Sequence, residues 1–276
     1  MNEIAEFEQS GNIVKVPATA VVMIVHCNHS DTAKVSLFEQ NESNVYANLI
    51  GKKCVCFGDS ITWYDGHAYN WGKEEGQIAV GYESYMRDVG MTVDNQGISG
   101  ATIATIVSSA IMNFDYTGYD YATITSGAND SRYQLAVGEI APIGSNFDST
   151  FIGRLQAGIE HILGENPEIK ILLITPIRGW IYAPDGYASN PPPSEDGIVE
   201  KKYADAIKTV AEFYSLPVCD WYDNCGLNLL TREWYINDPD PDPSATPNPN
   251  ILYSLHPTKK GYERMADLLL PVLRDI

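Results

Sequence analysis

The sequence has little positive charge and contains no long apolar run. Its 36 Asp and Glu residues outnumber its 18 Lys and Arg residues, so the formal net charge at pH 7 is −18. This excess of negative charge argues against nucleic acids and anionic membrane surfaces as partners. No segment reaches the roughly 20 apolar residues that a membrane span needs. The acidic first residues do not resemble a signal peptide, so we expect a cytoplasmic protein, with association with a virion or a cell surface as the alternative.

Cysteine is also scarce, with five residues in a chain of 276. An odd number in a chain of this length does not suggest a disulfide framework. Cys54 and Cys56 alternate on a predicted strand, where cysteine usually behaves as a small buried hydrophobe. Together with Cys219 and Cys225 they would make a zinc site without the usual C-x-x-C spacing. We therefore predict no zinc site.

A proline-rich segment, residues 237–250, contains three aspartates at alternate positions, Asp238, Asp240 and Asp242. This spacing resembles a calcium-binding loop, but the segment lacks the glycine and the terminal glutamate that such a loop uses. The prolines also exclude a helix or a central strand. We predict a surface loop, and neither a metal ion nor another cofactor.

The composition is that of a globular protein, with 44% hydrophobic and 20% charged residues. Within residues 1–50, strand-like runs at 13–16, 21–25 and 34–38 are separated by turn residues. Fifty residues of this kind rarely bury a core alone. We predict a β-rich N-terminal extension over residues 1–50 that packs on the main domain or links subunits into a homo-oligomer.

Residues 51–276 alternate between strand-like and helix-like segments, which is the pattern of a parallel sheet flanked by helices. Strands are predicted at 53–57, 92–95, 121–125, 169–175 and 216–219. Apolar stripes at helical spacing predict one helix over 151–162, with Gly164 as its stop, and another over 199–214. We predict a single α/β domain over residues 51–276.

Polar residues follow the first three predicted strands of this domain. The first strand ends in Gly-Asp-Ser, which places the hydroxyl of Ser60 at the carboxyl edge of the sheet. The second strand is followed by a segment that contains Gly100, and the third by a segment that contains Asn129. A backbone N–H beside a glycine and a side-chain amide are both suitable donors to a substrate oxygen.

A histidine near the end of the chain supplies the base that a serine nucleophile needs. His256-Pro257 precedes an amphipathic stripe, and Pro257 suits the first turn of a helix. His256 would then feel the positive end of the helix dipole, which favours the neutral imidazole that accepts a proton. The sequence therefore offers a nucleophile, a base and oxyanion donors.

These segments resemble the GDSL, or SGNH, hydrolase family in four ordered blocks: Gly58-Asp59-Ser60-Ile61-Thr62, Gly100, Gly127-Ala128-Asn129-Asp130 and His256-Pro257. The resemblance covers most of residues 51–276. It implies a three-layer α/β/α fold with a central, mostly parallel sheet, and ester hydrolysis by a serine without a metal ion.

The resemblance also implies a role for each matching residue. Ser60 corresponds to the nucleophile and His256 to its base. The N–H of Ser60, the N–H of Gly100 and the side chain of Asn129 correspond to the family's oxyanion hole.

One position departs from the family pattern, in which an Asp three residues before the histidine orients the imidazole. Here that position is Tyr253, which is neutral near pH 7. Three interpretations stay open: a Ser–His dyad with a backbone carbonyl as the orienting group, a carboxylate supplied by the loop 237–250, or a weakened relative that only binds. We predict that no carboxylate within residues 251–276 contacts His256.

Aromatic residues near the motif suggest the substrate class. Tyr64, His67 and Tyr69 follow the nucleophile closely, and Trp180 follows the fourth strand. Of these, His67 and Trp180 are the candidate substrate-binding residues. Aromatic loops suit a sugar face, an aryl group or a short acyl group. We predict a small-molecule or carbohydrate ester as substrate, with a short acyl group, and we keep a carbohydrate-binding or structural assembly module as the alternative.

Overall fold

The chain divides into two compact units, Met1–Ala47 and Asn48–Ile276. The computed structural model describes residues 2–4, 8–10, 13–15, 20–27, 33–39, 45–70, 72–181, 199–228, 230–237 and 253–276. Of the predicted features, the loop with Asp238, Asp240 and Asp242 lies outside these residues.

The first unit consists of short antiparallel strands. They are β1 (Asn2–Ile4), β2 (Glu8–Ser10), β3 (Ile13–Lys15), β4 (Ala20–Cys27) and β5 (Ala33–Glu39). β1, β5 and β4 form a three-stranded sheet in that order, and β2 pairs with β3. The three predicted strands are present as β3, β4 and β5, whereas β1 and β2 were not expected from the sequence.

The second unit is built on a five-stranded parallel sheet. Its strands are β6 (Lys53–Gly58), β7 (Thr92–Gly97), β8 (Tyr121–Thr125), β9 (Lys170–Ile174) and β11 (Val218–Cys219). Their order across the sheet is β7-β6-β8-β9-β11. Two further short strands, β10 (Trp180–Ile181) and β12 (Tyr253–Ser254), pair antiparallel with each other.

Helices connect these strands and cover both faces of the sheet. They are α1 (Ser60–Trp63), α2 (Tyr82–Asp88), α3 (Ile103–Ser109), α4 (Ala128–Arg132), α5 (Phe151–Glu165), α6 (Lys201–Tyr214), α7 (Trp221–Asn224), α8 (Arg232–Tyr235) and α9 (Lys259–Asp275), with 3₁₀ turns at Ala47–Leu49 and Ile111–Asn113. α3, α5 and α6 pack side by side, and α2 and α7 pack on α9. The predicted three-layer α/β/α fold is confirmed.

The central strand β6 shows why the sheet is covered on both faces. Val55 and Phe57 point into a core shared with α3, α5 and α6. Cys54 and Cys56 point the other way, and the Cys56 sulfur lies 4.0 Å from that of Met86 on α2. All four strand residues are completely buried. Alternate side chains of a strand face opposite sides, so a strand that is apolar at every position requires a helical layer on each side.

Two helix ends differ from the sequence prediction. α5 continues through Gly164 and ends at Glu165, with Asn166 as its C-cap. α9 begins at Lys259, because the Thr258 hydroxyl accepts the N–H of Gly261 at 3.2 Å and so forms the N-cap. Pro257 therefore precedes the helix instead of occupying its first turn. His256 lies three residues before the first residue of this helix, and the expected effect of the helix dipole on it stays a prediction.

Within the described residues, no helix combines the length and the apolar character needed to cross a membrane. The same residues contain no group of three or more His, Cys, Asp or Glu side chains placed to hold a metal ion. Cys54, Cys56, Cys219 and Cys225 are buried free thiols.

Candidate active site

The order of the strands reverses direction at the carboxyl ends of β6 and β8. β7 lies on one side of β6 and β8 on the other, so the connections after β6 and β8 run in opposite directions across the sheet. Ligands of open α/β sheets bind at such a switch point. Ser60 directly follows β6, and Asn129 follows β8. The fold therefore brings two of the predicted site residues to one edge.

Ser60 is held at the first position of α1. Asp59 is the N-cap of this helix, and its Oδ1 accepts the N–H of Ile61 at 2.9 Å. Gly97, at the end of β7, lies so close to the backbone N of Trp63 that a Cβ would collide with it. The close packing of α1 against β7 fixes the helix, and it leaves the Ser60 side chain at the edge of the sheet with 6% of its surface exposed.

His256 lies within hydrogen-bonding distance of Ser60. Its Nε2 is 2.9 Å from the Ser60 Oγ, across 196 positions of sequence. The main chain around the histidine is fixed on both sides, because the Asn237 N–H donates to the His256 carbonyl at 2.8 Å and β12 pairs with β10 just before it. The predicted nucleophile and base are thus brought together.

Burial sets the protonation state of this imidazole. It lowers the pKa of His256 to about 4, because the charged form loses its hydration. The histidine is therefore neutral at pH 7 and able to accept a proton from Ser60. This agrees with the neutral state expected from the sequence, and desolvation by burial is its cause.

The other two predicted oxyanion donors follow neighbouring strands, Gly100 in a turn after β7 and Asn129 in α4 after β8. Gly100 lies in the exposed turn after β7 with φ +78°, a conformation that glycine adopts without strain. Asn129 is 7% exposed, and its Nδ2 donates to the Ala101 carbonyl at 2.9 Å. An amide nitrogen carries two hydrogens, so this bond leaves a second donor on Asn129. The bond also ties the Asn129 side chain to the residue after Gly100.

A buried carboxylate for which the sequence predicted no role, that of Asp130, joins α4 to the first residue of α3. Asp130 is completely buried and accepts the N–H of Ile103 at 3.0 Å, the hydroxyl of Ser126 at 2.8 Å and the N–H of Gly127 at 3.1 Å. Burial raises the pKa of Asp130 and these hydrogen bonds oppose the rise. The signal in the sequence is an Asp three residues after Gly127, the N3 position of a capped helix.

The aromatic residues near the motif divide into a buried and an exposed set. Tyr64 and Tyr69 are 2% and 3% exposed, so they are core residues and not the open platform that the sequence suggested. His67 is exposed and stacks on Trp63, with ring centroids 3.9 Å apart and planes 20° apart. The backbone of Trp180 lies in β10 opposite Ser254. Contact of His67 and Trp180 with substrate stays a prediction.

A cavity of about 480 Å³ lies at the opposite edge of the sheet. Its lining includes Lys52, Asp120 and Lys170, which stand at the amino ends of β6, β8 and β9. This position separates the cavity from Ser60, at the carboxyl end of β6. The cavity is therefore not part of the candidate active site.

Comparison with solved structures finds the same fold in several hydrolases. A protein described as a possible lipase from Chitinophaga pinensis is 24% identical, with a TM-score of 0.57 and coverage of 81% of this chain and 98% of the other. The lipase/acylhydrolase from Enterococcus faecalis is 23% identical, with a TM-score of 0.51 and coverage of 81% and 96%. The aryl esterase from M. smegmatis is 16% identical, with a TM-score of 0.50 and coverage of 82% and 99%.

The sequence itself gives a family assignment. No curated protein matches the chain. The profile of the GDSL-like lipase/acylhydrolase family matches residues 56–264, which include every predicted site residue. Because this match covers most of the chain, the chain belongs to the GDSL-like lipase/acylhydrolase family, whose members are hydrolases of the ester type.

Proposed function

We propose that this protein is a serine esterase that cleaves a carboxylic ester through an acyl-enzyme on Ser60. The distance of 2.9 Å between the Ser60 Oγ and the His256 Nε2 is the observation that carries the proposal. It lies within the range over which a base takes a proton from a nucleophile. The pKa of His256, lowered by burial to about 4, keeps the imidazole in its basic form at pH 7.

In the first half of the reaction, His256 takes the hydroxyl proton while the Ser60 Oγ attacks the ester carbonyl carbon. The carbonyl oxygen becomes an oxyanion, which the N–H groups of Ser60 and Gly100 and the second Nδ2 hydrogen of Asn129 stabilise. The intermediate then collapses. The bond to the alcohol oxygen breaks, that oxygen receives the proton from His256, and the acyl group stays on Ser60.

In the second half, a water molecule attacks the acyl-enzyme and His256 takes its proton. The tetrahedral intermediate collapses to release the carboxylic acid and to return the proton to Ser60. The imidazolium formed in both halves needs stabilisation, because burial penalises its charge. A backbone carbonyl or a carboxylate from the loop 237–250 would supply it, as the sequence analysis proposed.

For the substrate we propose a short acyl ester, with a carbohydrate as its alcohol part. The exposed stack of His67 on Trp63 supports a planar or sugar-like group beside α1. A series of 4-nitrophenyl esters from acetate to octanoate, with acetylated xylo-oligosaccharides alongside, tests this. We expect kcat/KM to fall with acyl length and acetate to be released from the oligosaccharide. Preference for the octanoate would overturn the short-acyl proposal.

We also propose that residues 1–47 serve assembly and not the chemistry, because no candidate site residue lies among them. Deletion of residues 1–45 should lower the oligomeric state seen by light scattering and leave kcat on 4-nitrophenyl acetate unchanged. Circular dichroism checks that the shortened chain is folded. Loss of turnover in a folded variant would contradict the proposal.

The test of the esterase assignment is covalent labelling with a fluorophosphonate, followed by intact mass spectrometry. We expect one label per wild-type chain and none on Ser60→Ala. A folded wild-type protein that takes no label would support the alternative, a catalytically weakened binding or structural module.

A further inference from the structure

Two buried tyrosines form a row of packed rings that ends at His256, in which Tyr64 contacts the imidazole and Tyr69 contacts Tyr64. The Tyr64 ring meets the His256 ring edge to face, with centroids 4.8 Å apart and planes 65° apart. The Tyr69 ring stacks on the Tyr64 ring, with centroids 5.2 Å apart and planes 25° apart. We call Tyr64 and Tyr69 the tyrosine pair.

The tyrosine pair is attached to both partners of the candidate Ser–His couple. Tyr64 is the C-cap of α1, and its N–H donates to the carbonyl of Ser60 at 3.0 Å. Tyr69 donates its hydroxyl to the carbonyl of Pro257 at 2.6 Å, directly after His256. One tyrosine thus extends from the nucleophile's helix to the imidazole ring, and the other holds the main chain that carries this ring.

We propose that Tyr64 and Tyr69 are positioning residues that hold the His256 imidazole in line with Ser60. The inference rests on the proposed esterase function. It adds a means of orienting the base in a chain where Tyr253 stands at the position of the family's orienting Asp. Contact with substrate is not required of either tyrosine.

The energies fit such a role. An edge-to-face aromatic contact stabilises one arrangement of two rings beyond the effect of burying their area. One ring orientation is thereby favoured over another by about 2- to 13-fold. Burial raises the pKa values of both tyrosines, so the pair stays neutral and offers no charge to the imidazole. The pair therefore acts through geometry, and its loss should lower the rate of the chemical step.

The first test replaces Tyr64 with Leu and with Phe and measures turnover of 4-nitrophenyl acetate. Tyr64→Leu should lower kcat about 10- to 100-fold, since a displacement of 1 Å at a reacting group costs up to about 10²-fold. KM should change less than about threefold. Tyr64→Phe keeps the ring and should restore kcat to within about threefold of wild type. Equal losses in both variants would overturn the proposal.

A double-mutant comparison separates positioning from a general effect on the fold. In the His256→Ala background, Tyr64→Leu should cause no further loss of the residual activity, because the group that it positions is gone. A second large loss in that background would show that Tyr64 acts on something other than His256, and this would overturn the proposal.

Tyr69 gives an independent test if Tyr64→Leu fails to fold. Tyr69→Phe removes only the hydrogen bond to Pro257 and should lower kcat about 3- to 10-fold, the range for one lost hydrogen bond. Tyr116→Phe is the matched control. That buried hydroxyl donates to the Ile111 carbonyl at 2.8 Å and its ring packs edge to face on Phe114. Equal kcat values in the two variants would overturn the role of Tyr69.

Labelling by a fluorophosphonate distinguishes the two ways of failing. If wild type takes the label on Ser60 but neither tyrosine variant loses turnover, the positioning role fails and the esterase function stands. If wild type takes no label, the esterase function fails and the positioning role fails with it.

Discussion

The Asp130 carboxylate accepts the backbone N–H of Ile103 at 3.0 Å, and so joins α4, which follows β8, to the first residue of α3, which follows β7. The two candidate oxyanion donors lie close to this bond in sequence, Gly100 in the turn before α3 and Asn129 next to Asp130 in α4. In the sheet β6 lies between β7 and β8, and the candidate nucleophile Ser60 follows β6 at the start of α1. The positions of the two donors in the proposed oxyanion hole therefore depend on the Asp130 carboxylate, which is not itself a donor to the substrate oxygen.

Asp130→Asn should lower kcat about tenfold or more and reduce thermal stability. An Asn at this position would turn its amide toward N–H donors and leave a buried N–H without an acceptor, at a cost of about 1–3 kcal/mol. Steady-state kinetics and thermal melting measure both effects. Asp115→Asn is the matched control, since Asp115 is exposed and accepts the N–H of Thr117 at 2.9 Å in a loop away from the site. Unchanged kcat in Asp130→Asn would show that the two donors keep their positions without the carboxylate.

Asn129→Ala should lower kcat about 10²-fold or more with the fold intact, since one oxyanion donor stabilises the transition state by roughly 3 kcal/mol. Asn113→Ala controls for the loss of a bond from a side-chain amide to a carbonyl, because the Asn113 Nδ2 donates to the Ser108 carbonyl at 2.9 Å on the surface. Wild-type turnover in Asn129→Ala would reduce this residue to a structural role.

The pH dependence of kcat/KM should report the lowered pKa of His256. Because the imidazole is active when neutral and its pKa is about 4, activity should rise with pH around 4 and stay level through neutral pH. An unperturbed histidine would give this rise near pH 6.5. Asp59 is a second group to control for, since burial raises its pKa to about 7.

Repeating the pH profile with Asp59→Asn identifies any rise near pH 7 that belongs to Asp59. A rise near pH 6.5–7 that remains in this variant would contradict the desolvated histidine. It would point instead to a carboxylate that favours the imidazolium.

The aspartates of the loop 237–250 distinguish a Ser–His dyad from a triad in which this loop supplies the carboxylate that the family pattern places at position 253. Replacement of Asp238, Asp240 and Asp242 together by Asn should leave a Ser–His dyad nearly as active as wild type. The same change should cripple a triad that the loop completes, where loss of the carboxylate can cost ~10⁴-fold in kcat. We expect the first outcome, and kcat on 4-nitrophenyl acetate measures it.

The sequence predicts the frame of this fold well because its signals are local. Apolar runs that end in turn residues mark β6, β8 and β9, and the order of the family blocks indicates the α/β/α fold. The start of α9 was misplaced because two local signals compete. Pro257 suits a first turn, but the Thr258 hydroxyl caps the Gly261 N–H and so begins the helix two residues later.

The contacts of Asp130 and Tyr64 could not be predicted from the sequence, because they join residues that are distant along the chain. Asp130 joins residues 27 positions apart, and the Tyr64 ring meets a histidine on the last loop of the domain. Such contacts depend on how the strands are ordered in the sheet. The sequence around Tyr64 shows only that several aromatic residues follow Ser60. That the Tyr64 ring is buried against His256 is seen only in the folded structure.

In the proposed reaction Ser60 carries the acyl group during turnover. The direct measurement is to quench the enzyme with acid during hydrolysis of 4-nitrophenyl acetate and to locate the acetyl group by peptide mass spectrometry. We expect one acetyl group on Ser60 in wild type, and none in Ser60→Ala. An enzyme that turns over with no acetyl group on Ser60, or with one on another residue, would contradict the account.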